Sequence, residues 1–184
     1  MGAQADPEGW MHIIIDGYNL IRQSDSLKSF EKLSLEEGRN ELVRRMVSYK
    51  RLKGHKITIV FDGWKEGPAM EERDRQDNIN IIYSRRGEKA DDVIKRLADG
   101  SSEETIIISS DREIASHVTR HGKTALSSTE FEMLMFKAIV ESAVSNFAAG
   151  KEADDETDHH SSKKGPAKRL PRARRHVQTK IKKL

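Results

Sequence analysis

Three aspartates that follow short apolar runs are the residues of this sequence best suited to chemistry. Asp16 follows HIII, Asp62 follows ITIVF, and Asp111 follows TIIISS. If the runs are parallel strands of one open sheet, their carboxyl ends meet at one edge, where ligands of such sheets bind. Each aspartate alone could be a helix cap or a turn residue. Three carboxylates at one edge repel one another unless a cation neutralises them, so the spacing predicts a divalent-metal site.

A fourth carboxylate comes from the sequence EKADD, which precedes a helical pattern. If a helix begins near Ala90, its apolar face is centred close to Ala90 and Leu97. Because successive helical residues are turned by about 100°, Asp91 lies beside that face and Asp92 points away from it. Asp91 is therefore the preferred fourth acid, and Asp92 and Glu88 remain as alternatives.

The ligands predicted here are all oxygens, which favours the hard ions Mg²⁺ or Mn²⁺ over zinc. Such an ion can polarise a phosphodiester, activate a water, or do both as a pair about 3.5–4 Å apart. The sequence does not decide between one ion and two. Asn19 lies one short turn after Asp16, where its amide could orient Asp16 or a bound water, or could be an ordinary turn residue.

The apolar runs predict the strands that must position these acids. The runs are rich in β-branched residues, too short for helices, and almost continuously apolar, as expected of strands buried on both faces. They lie at 12–15, 57–61, 79–83 and 105–108, with a weaker run near 123–126. Helical patterns fall between them, and strands that alternate with helices form parallel sheets. The predicted fold is therefore an α/β three-layer sandwich with a parallel sheet of about five strands and helices on both faces.

The helical patterns carry their own start signals. Ser34 and Glu37 form a capping box before an apolar stripe. Ser128 or Thr129 can begin a long helix that continues through Phe147.

Composition and charge divide the chain of 184 residues into a body and a tail. Hydrophobic residues make up 35% and charged residues 34%, and there is no cysteine. The absence of cysteine excludes a disulfide scaffold and a thiolate metal site, and it fits a cytoplasmic location. No apolar run reaches the roughly 20 residues that span a bilayer. We expect a disordered leader over residues 1–10, a folded α/β domain over 11–148, and an acidic, then basic, disordered tail over 149–184.

The tail is the cationic part of the chain. Residues 151–184 hold 11 of the 33 Lys and Arg but 5 of the 30 Asp and Glu, so their net charge is +6 and that of the rest is −3. A cationic tail on a nearly neutral body suggests a polyanionic partner, nucleic acid above all, or else a solubilising segment. The candidate residues for binding nucleic acid, and RNA if the family resemblance described below holds, lie in the loops and the tail: Arg85, Arg86, Arg112, Lys168, Arg169, Arg172, Arg174 and Arg175.

Four short blocks give the chain a family resemblance. They are DGYN (16–19), FDG (61–63), ADD (90–92) and SSDR (109–112). In this order and spacing they resemble the signature blocks of NYN domains in the PIN-like superfamily, and most of all its bacterial YacP-like branch. The resemblance covers roughly residues 11–148, and it implies a PIN-like sandwich and a Mg²⁺- or Mn²⁺-dependent endoribonuclease.

The resemblance also implies roles for the candidate residues. Carried over by position, Asp16, Asp91 and Asp111 would be the principal metal ligands, Asp62 an additional acid, and Asn19 a supporting polar residue. It further implies a ribosome-associated setting with mRNA as the substrate. The leader and the basic tail lie outside the family core, so no role carries over to them.

Three other functions compete with this interpretation. The first alternative is an RNA- or ribosome-binding module with little or no catalysis. A phosphotransferase with Asp16 as nucleophile is less favoured, because such enzymes place a second aspartate two residues later, where this chain has Tyr18. A dinucleotide-binding oxidoreductase is least favoured, because no G-x-G-x-x-G follows the first strand.

Overall fold

A computed structural model describes residues 10–63, 67–149 and 179–184, and its central element is a sheet of six strands. The strands are β1 (His12–Asp16), β2 (Lys56–Phe61), β3 (Glu72–Gln76), β4 (Ile79–Tyr83), β5 (Thr105–Ile108) and β6 (Thr124–Leu126). The helices are α1 (Gly17–Gln23), α2 (Asp25–Glu31), α3 (Leu35–Lys53), α4 (Ala90–Gly100), α5 (Arg112–Arg120) and α6 (Ser128–Ala149). Residues 179–183 form a further short helix.

The strand order creates a crevice beside β1. The order across the sheet is β3-β4-β2-β1-β5-β6, and all neighbours are parallel except β3 and β4. The chain moves outward from β1 to β2 and β4, and then returns to β5 on the other side of β1. Ligands of open α/β sheets bind where the strand order reverses in this way. The carboxyl ends of β1 and β5 flank that point.

Helices cover both faces of the sheet, as the continuous apolar runs predict. Ile13 and Ile15 belong to the core formed with α1, α2, α3 and α6. Ile14 points to the opposite face and packs in the core formed with α4 and α5. Successive strand residues therefore face two different helical layers, which is why nearly every position is apolar. The predicted three-layer α/β sandwich is confirmed.

The sixth strand, β3, was not predicted. Its sequence ERDRQ is exposed at every position, so it carries no apolar alternation. It pairs antiparallel with β4 through a two-residue turn in which Asp77 and Asn78 have φ of 46° and 67°. That turn is of the kind that joins tight hairpins. The charges of β3 keep the edge of the sheet from pairing with another chain.

The predicted helix starts agree with the structure to within one residue. The Glu37 backbone N–H donates to Ser34 Oγ over 3.0 Å, which caps α3. The cap of α6 lies one residue earlier than predicted, because the Glu130 N–H donates to Ser127 Oγ and the Ser127 N–H donates back to the Glu130 carboxylate. This is a reciprocal capping box.

Residues 179–184 contradict the prediction of a tail that is disordered to its end. The Tyr49 hydroxyl donates to the Leu184 carbonyl over 2.6 Å. His55 Nε2 lies 3.0 Å from the Lys183 carbonyl, and Leu184 is 3% exposed. The segment thus packs on α3 and the start of β2.

The sequence could not indicate this docking, because the segment offers only one apolar turn, Ile181 and Leu184, among lysines. Its partner surface is built by residues about 130 positions earlier. Lys180 and Lys183 also pair with Glu104, at 3.6 and 3.4 Å. The remaining parts of the predicted leader and tail, residues 1–9 and 150–178, lie outside the described residues.

Within the three described ranges, no helix is both long enough and apolar enough to cross a membrane.

We predict that Leu184→Ala lowers the free energy of unfolding by about 2–3 kcal/mol, because it empties a buried site. Urea denaturation followed by circular dichroism measures this. Lys182→Ala, on the exposed side of the same helix, is the matched control and should change stability by less than about 0.5 kcal/mol. Equal denaturation midpoints for the two variants would mean that residues 179–184 do not pack on the body in solution.

Candidate metal centre

A cleft of about 1130 Å³ opens at the carboxyl edge of the sheet. The five residues that the sequence predicted for the site all line it: Asp16, Asn19, Asp62, Asp91 and Asp111. The structure thus brings together residues that lie up to 95 positions apart in sequence. Strand ends deliver Asp16 and Asp62, and helix starts deliver Asp91 and Asp111.

Asp16 lies at the bottom of this arrangement. It is the last residue of β1 and the N-cap of α1, and it is 8% exposed. Its Oδ1 accepts from the Asn19 backbone N–H over 3.2 Å, and its Oδ2 accepts from Ser109 Oγ over 3.0 Å. Burial raises the pKa of Asp16 from 3.8 to about 6, and the charges of Asp91 and Asp111 act in the same direction. The two hydrogen bonds partly oppose this rise.

Asp111 caps α5 with one oxygen. Its Oδ1 accepts from the backbone N–H groups of Glu113 and Ile114, at 2.6 and 3.2 Å. The Asp111 N–H in turn donates to Ser109 Oγ over 3.1 Å. Ser109 therefore ties Asp111 to Asp16, since the same hydroxyl donates to Asp16. The cap leaves Asp111 Oδ2 as the oxygen that can bind an ion.

Asp91 is the member of the ADD block that reaches the cleft. It lies in the first turn of α4, and its pKa is raised by burial and then by the charge of Asp111. Asp92 is exposed and is not among the described residues that line the cleft. Glu88 pairs instead with Arg96 over 2.6 Å and with Arg85 over 3.4 Å. Of the three candidates for the fourth acid, the structure places Asp91 at the site.

Two glycines allow the chain after β1 and after β2 to pack tightly against its neighbours. A Cβ at Gly17 would collide with the ring of Phe61, and a Cβ at Gly63 would collide with the Ser84 carbonyl. The glycines that follow Asp16 and Asp62 are therefore required by packing at the sheet edge. Asp62 itself is exposed, so it stands on the solvent side of the buried Asp16.

Asn19 connects Asp16 to two further segments around the site. Its backbone, not its side-chain amide, binds Asp16. Its Oδ1 accepts from the Ser110 N–H over 2.9 Å and from Ser128 Oγ over 2.8 Å. The side chain therefore joins α1 to the loop after β5 and to the start of α6. Its Nδ2 is the group that Asn19 can offer to a ligand in the cleft.

The cleft also contains two arginines that sequence reasoning missed. Arg39 Nη1 donates to the Tyr18 hydroxyl over 3.0 Å, and its guanidinium lies 5.7 Å from the centre of the Tyr83 ring. The Arg22 guanidinium lies 5.2 Å from the centre of the Tyr18 ring. Tyr18, Arg22 and Arg39 all line the cleft. No motif marks these arginines. Arg39 reaches the site through the packing of α3 against α1, whereas Arg22 lies on α1 itself, four residues after Tyr18.

Three of the predicted RNA-binding residues are described by the structure, and they lie outside the cleft. Arg85, Arg86 and Arg112 are exposed, and none of them is among the described residues lining the cleft. The five predicted in the tail lie outside the described residues: Lys168, Arg169, Arg172, Arg174 and Arg175.

The donor set fits a hard divalent ion. Asp16, Asp91 and Asp111 offer carboxylate oxygens, and two of the three have a raised pKa. Both pKa values are raised by burial together with a neighbouring carboxylate. A bound cation would stabilise the charged carboxylates and so offset both effects. Oxygen-only sites select Mg²⁺ or Mn²⁺ over softer ions.

Comparison with known proteins gives three results. A family model described as the YacP-like NYN domain matches residues 13–181. An uncharacterized protein YacP of Bacillus subtilis (strain 168) is 30% identical over 86 residues, 47% of this chain and 50% of that protein. The crystal structure of Rae1 (YacP) from Bacillus subtilis matches with a TM-score of 0.61 at 24% identity, covering 76% of this chain and 82% of that chain. A mutant form of Rae1 gives 0.64 at 21% identity, covering 78% and 86%.

These matches differ in what they establish. The sequence match to the curated relative spans half of that protein's length, and at these identities the structural likeness shows the fold alone. The family model runs to residue 181. It therefore includes most of the segment that we expected to lie outside the family core, a correction that agrees with the packing of residues 179–184.

We predict that Asp16→Asn stabilises the protein in chelator, and that the gain depends on pH. The unfolded carboxyl ionises near 3.8 and the folded one near 6. Between these values the folded state therefore holds more protons, and the stability of the wild type falls as pH rises. Asparagine does not ionise and still caps α1. The gain should grow from pH 4 to 6 and level off at about 2–3 kcal/mol above pH 6.5.

Urea denaturation in EDTA across this range measures the gain. Asp92→Asn removes an exposed acid from the same neighbourhood and should show no such growth. Parallel pH profiles for the wild type and Asp16→Asn would contradict the raised pKa of Asp16.

Proposed function

The chain belongs to the YacP-like NYN family, and on that premise we propose that it is a metal-dependent endoribonuclease. The observation that supports this most is the buried carboxylate of Asp16, held beside Asp91 and Asp111 at the crevice of the sheet. A cluster of this kind is unfavourable for a protein that binds RNA through the same cleft without a cation, because carboxylates repel phosphates.

In this proposal Asp16, Asp91 and Asp111 hold Mg²⁺ or Mn²⁺. The bound ion supplies polarisation of the phosphodiester and activation of the attacking water. The protein fixes the carboxylates in advance, since Ser109 and the Asn19 N–H bind both oxygens of Asp16. Asp62 is an additional acid at the exposed side. The oxygen of water forms a bond to phosphorus as the P–O bond to the leaving ribose oxygen breaks. The proton that the water loses passes through solvent to that ribose oxygen, so no covalent enzyme intermediate is needed.

The proposed substrate is single-stranded RNA. Tyr18 offers a ring on which an unpaired base can stack, and Arg22 and Arg39 offer guanidinium groups to phosphates. All three share the cleft with the carboxylates. Unstacked single strands allow such contacts, whereas a duplex hides its bases. A ribosome-associated setting in the cytoplasm, with mRNA as the substrate, belongs to the same proposal and is supported by the family resemblance.

We predict that Asp16→Asn, Asp91→Asn and Asp111→Asn each lower the cleavage rate more than about 100-fold. Loss of partners that only orient metal ligands already costs about 10–100-fold. RNA affinity should change little, because the removed interactions act on the transition state. Cleavage of a labelled single strand at saturating enzyme, with Mn²⁺ or with EDTA, measures the rate.

Asp92→Asn is the matched control and should cleave like the wild type. Circular dichroism confirms that each variant is folded. Wild-type cleavage by all three variants would overturn the site. Metal-independent RNA binding with no cleavage by the wild type would instead favour the RNA-binding module.

The basic segment before residue 179 is the proposed source of non-specific RNA affinity. We predict that changing Lys168, Arg169, Arg172, Arg174 and Arg175 together to Gln flattens the dependence of log affinity on log salt, by about 0.7 for each phosphate that the variant no longer neutralises. The cleavage rate at saturating RNA should not change. This variant keeps Lys180 and Lys183, which pair with Glu104, so it does not disturb the docked helix.

The control for this experiment is Arg51→Gln with Arg120→Gln, which removes two exposed charges from the ends of α3 and α5. Fluorescence anisotropy at several salt concentrations gives the slopes. An unchanged slope in the five-residue variant would show that these residues do not contact RNA.

A further inference from the structure

A second cluster of metal-ligating side chains lies on helices α4 and α5. Asp99 Oδ2 lies 3.0 Å from His117 Nε2, and Asp99 Oδ1 lies 3.9 Å from His121 Nδ1. The two imidazole rings stack with centroids 4.3 Å apart. One donor atom from each of the three residues lies within 4.8 Å of the others. Two imidazole nitrogens and one carboxylate oxygen therefore lie close together.

The helices place these residues together for simple reasons. His117 and His121 are four residues apart on α5, so they lie on the same face. Helix α4 packs against α5 through a shared apolar core that includes Ala98 and Val118, which brings Asp99 beside the histidines. Asp99 is eight residues after Asp91, about 12 Å further along α4. The cluster is therefore separate from the cleft.

The ligand types point to a different ion from the one proposed for the cleft. Imidazole nitrogen suits Zn²⁺ and its transition-metal neighbours, whereas Mg²⁺ and Mn²⁺ prefer oxygen. Two histidines, one carboxylate and a water complete a tetrahedral zinc site, with ligand atoms roughly 3.3 Å apart. Asp99 and His121 are exposed and His117 is half-buried, so the ion has access. The donor atoms lie within 4.8 Å of one another, and the side chains close by up to about 1.5 Å to bind the ion.

We propose that Asp99, His117 and His121 form a zinc-type transition-metal site that links α4 to α5. His121 Nδ1 now lies 2.8 Å from the His117 carbonyl, and it exchanges that contact for the ion. The site complements the nearby ion pair between Lys95 and Glu113, which joins the same two helices. Its bound ion braces the two helices that begin at the cleft.

The test is a titration of the metal-free full chain with Co²⁺, followed by visible absorption, and then displacement by Zn²⁺. The visible absorption of Co²⁺ is strong in a tetrahedral site and weak when six oxygens coordinate the ion, so it distinguishes this site from an oxygen-only one. The readout does not depend on nuclease activity. The wild type should bind one Zn²⁺ at this site, with a melting temperature raised by several degrees. His117→Gln and His121→Gln should each weaken zinc binding at least about tenfold, since each removes a ligand. Asp99→Asn should weaken it as well.

Two matched controls make the assignment specific. His159→Gln with His160→Gln removes the adjacent histidine pair elsewhere in the chain, and Asp16→Asn alters the cleft. Both should keep the cobalt spectrum and the zinc affinity of the wild type. Unchanged zinc affinity in His117→Gln and His121→Gln would overturn the proposal, as would loss of binding in either control. Because the proposal does not rest on nuclease activity, it can fail while the proposed function stands.

Discussion

The buried carboxylate of Asp16 is unfavourable on its own, and the elements around the cleft are arranged to hold it in place. Asp16 sits at the end of the central strand with 8% of its surface exposed, where desolvation and two neighbouring acids oppose its ionisation. Its hydrogen bonds to Ser109 and to the Asn19 backbone reduce that penalty without removing it. A divalent cation is the partner that would remove it at neutral pH, and this links the stability of the fold to its proposed chemistry.

Buried strands and helix caps hold this unfavourable group in place. The apolar runs of β1 and β5 are buried on both faces, so the ends of these strands are fixed by two helical layers. Helix caps then orient the acids: Asp16 starts α1 and Asp111 starts α5. Ser109 joins the two caps through a single hydroxyl. The same interactions that end the strands and begin the helices thus shape the candidate site.

The sequence predicted those parts of the structure that are determined by residues close together in the chain. Continuous apolar runs identified every strand except β3, whose five exposed polar residues are determined by its edge position. The position of Asp16, Asp62 and Asp111 after predicted strands indicated that they lie at one edge of the sheet. The angle of about 100° between successive helical residues added Asp91 to them. Arg39 could not be found this way, because it reaches the cleft only through packing between helices. The docking of Leu184 depends likewise on a distant partner, Tyr49.

We propose that Asp16, Asp91 and Asp111 together bind a divalent cation. The most direct test is a crystal of the protein grown with Mn²⁺, with diffraction recorded at the manganese absorption edge. We predict an anomalous peak in the cleft, within about 2.5 Å of carboxylate oxygens of these three residues. An empty cleft at a manganese concentration that supports cleavage, or a peak found only at Asp99, His117 and His121, would contradict it.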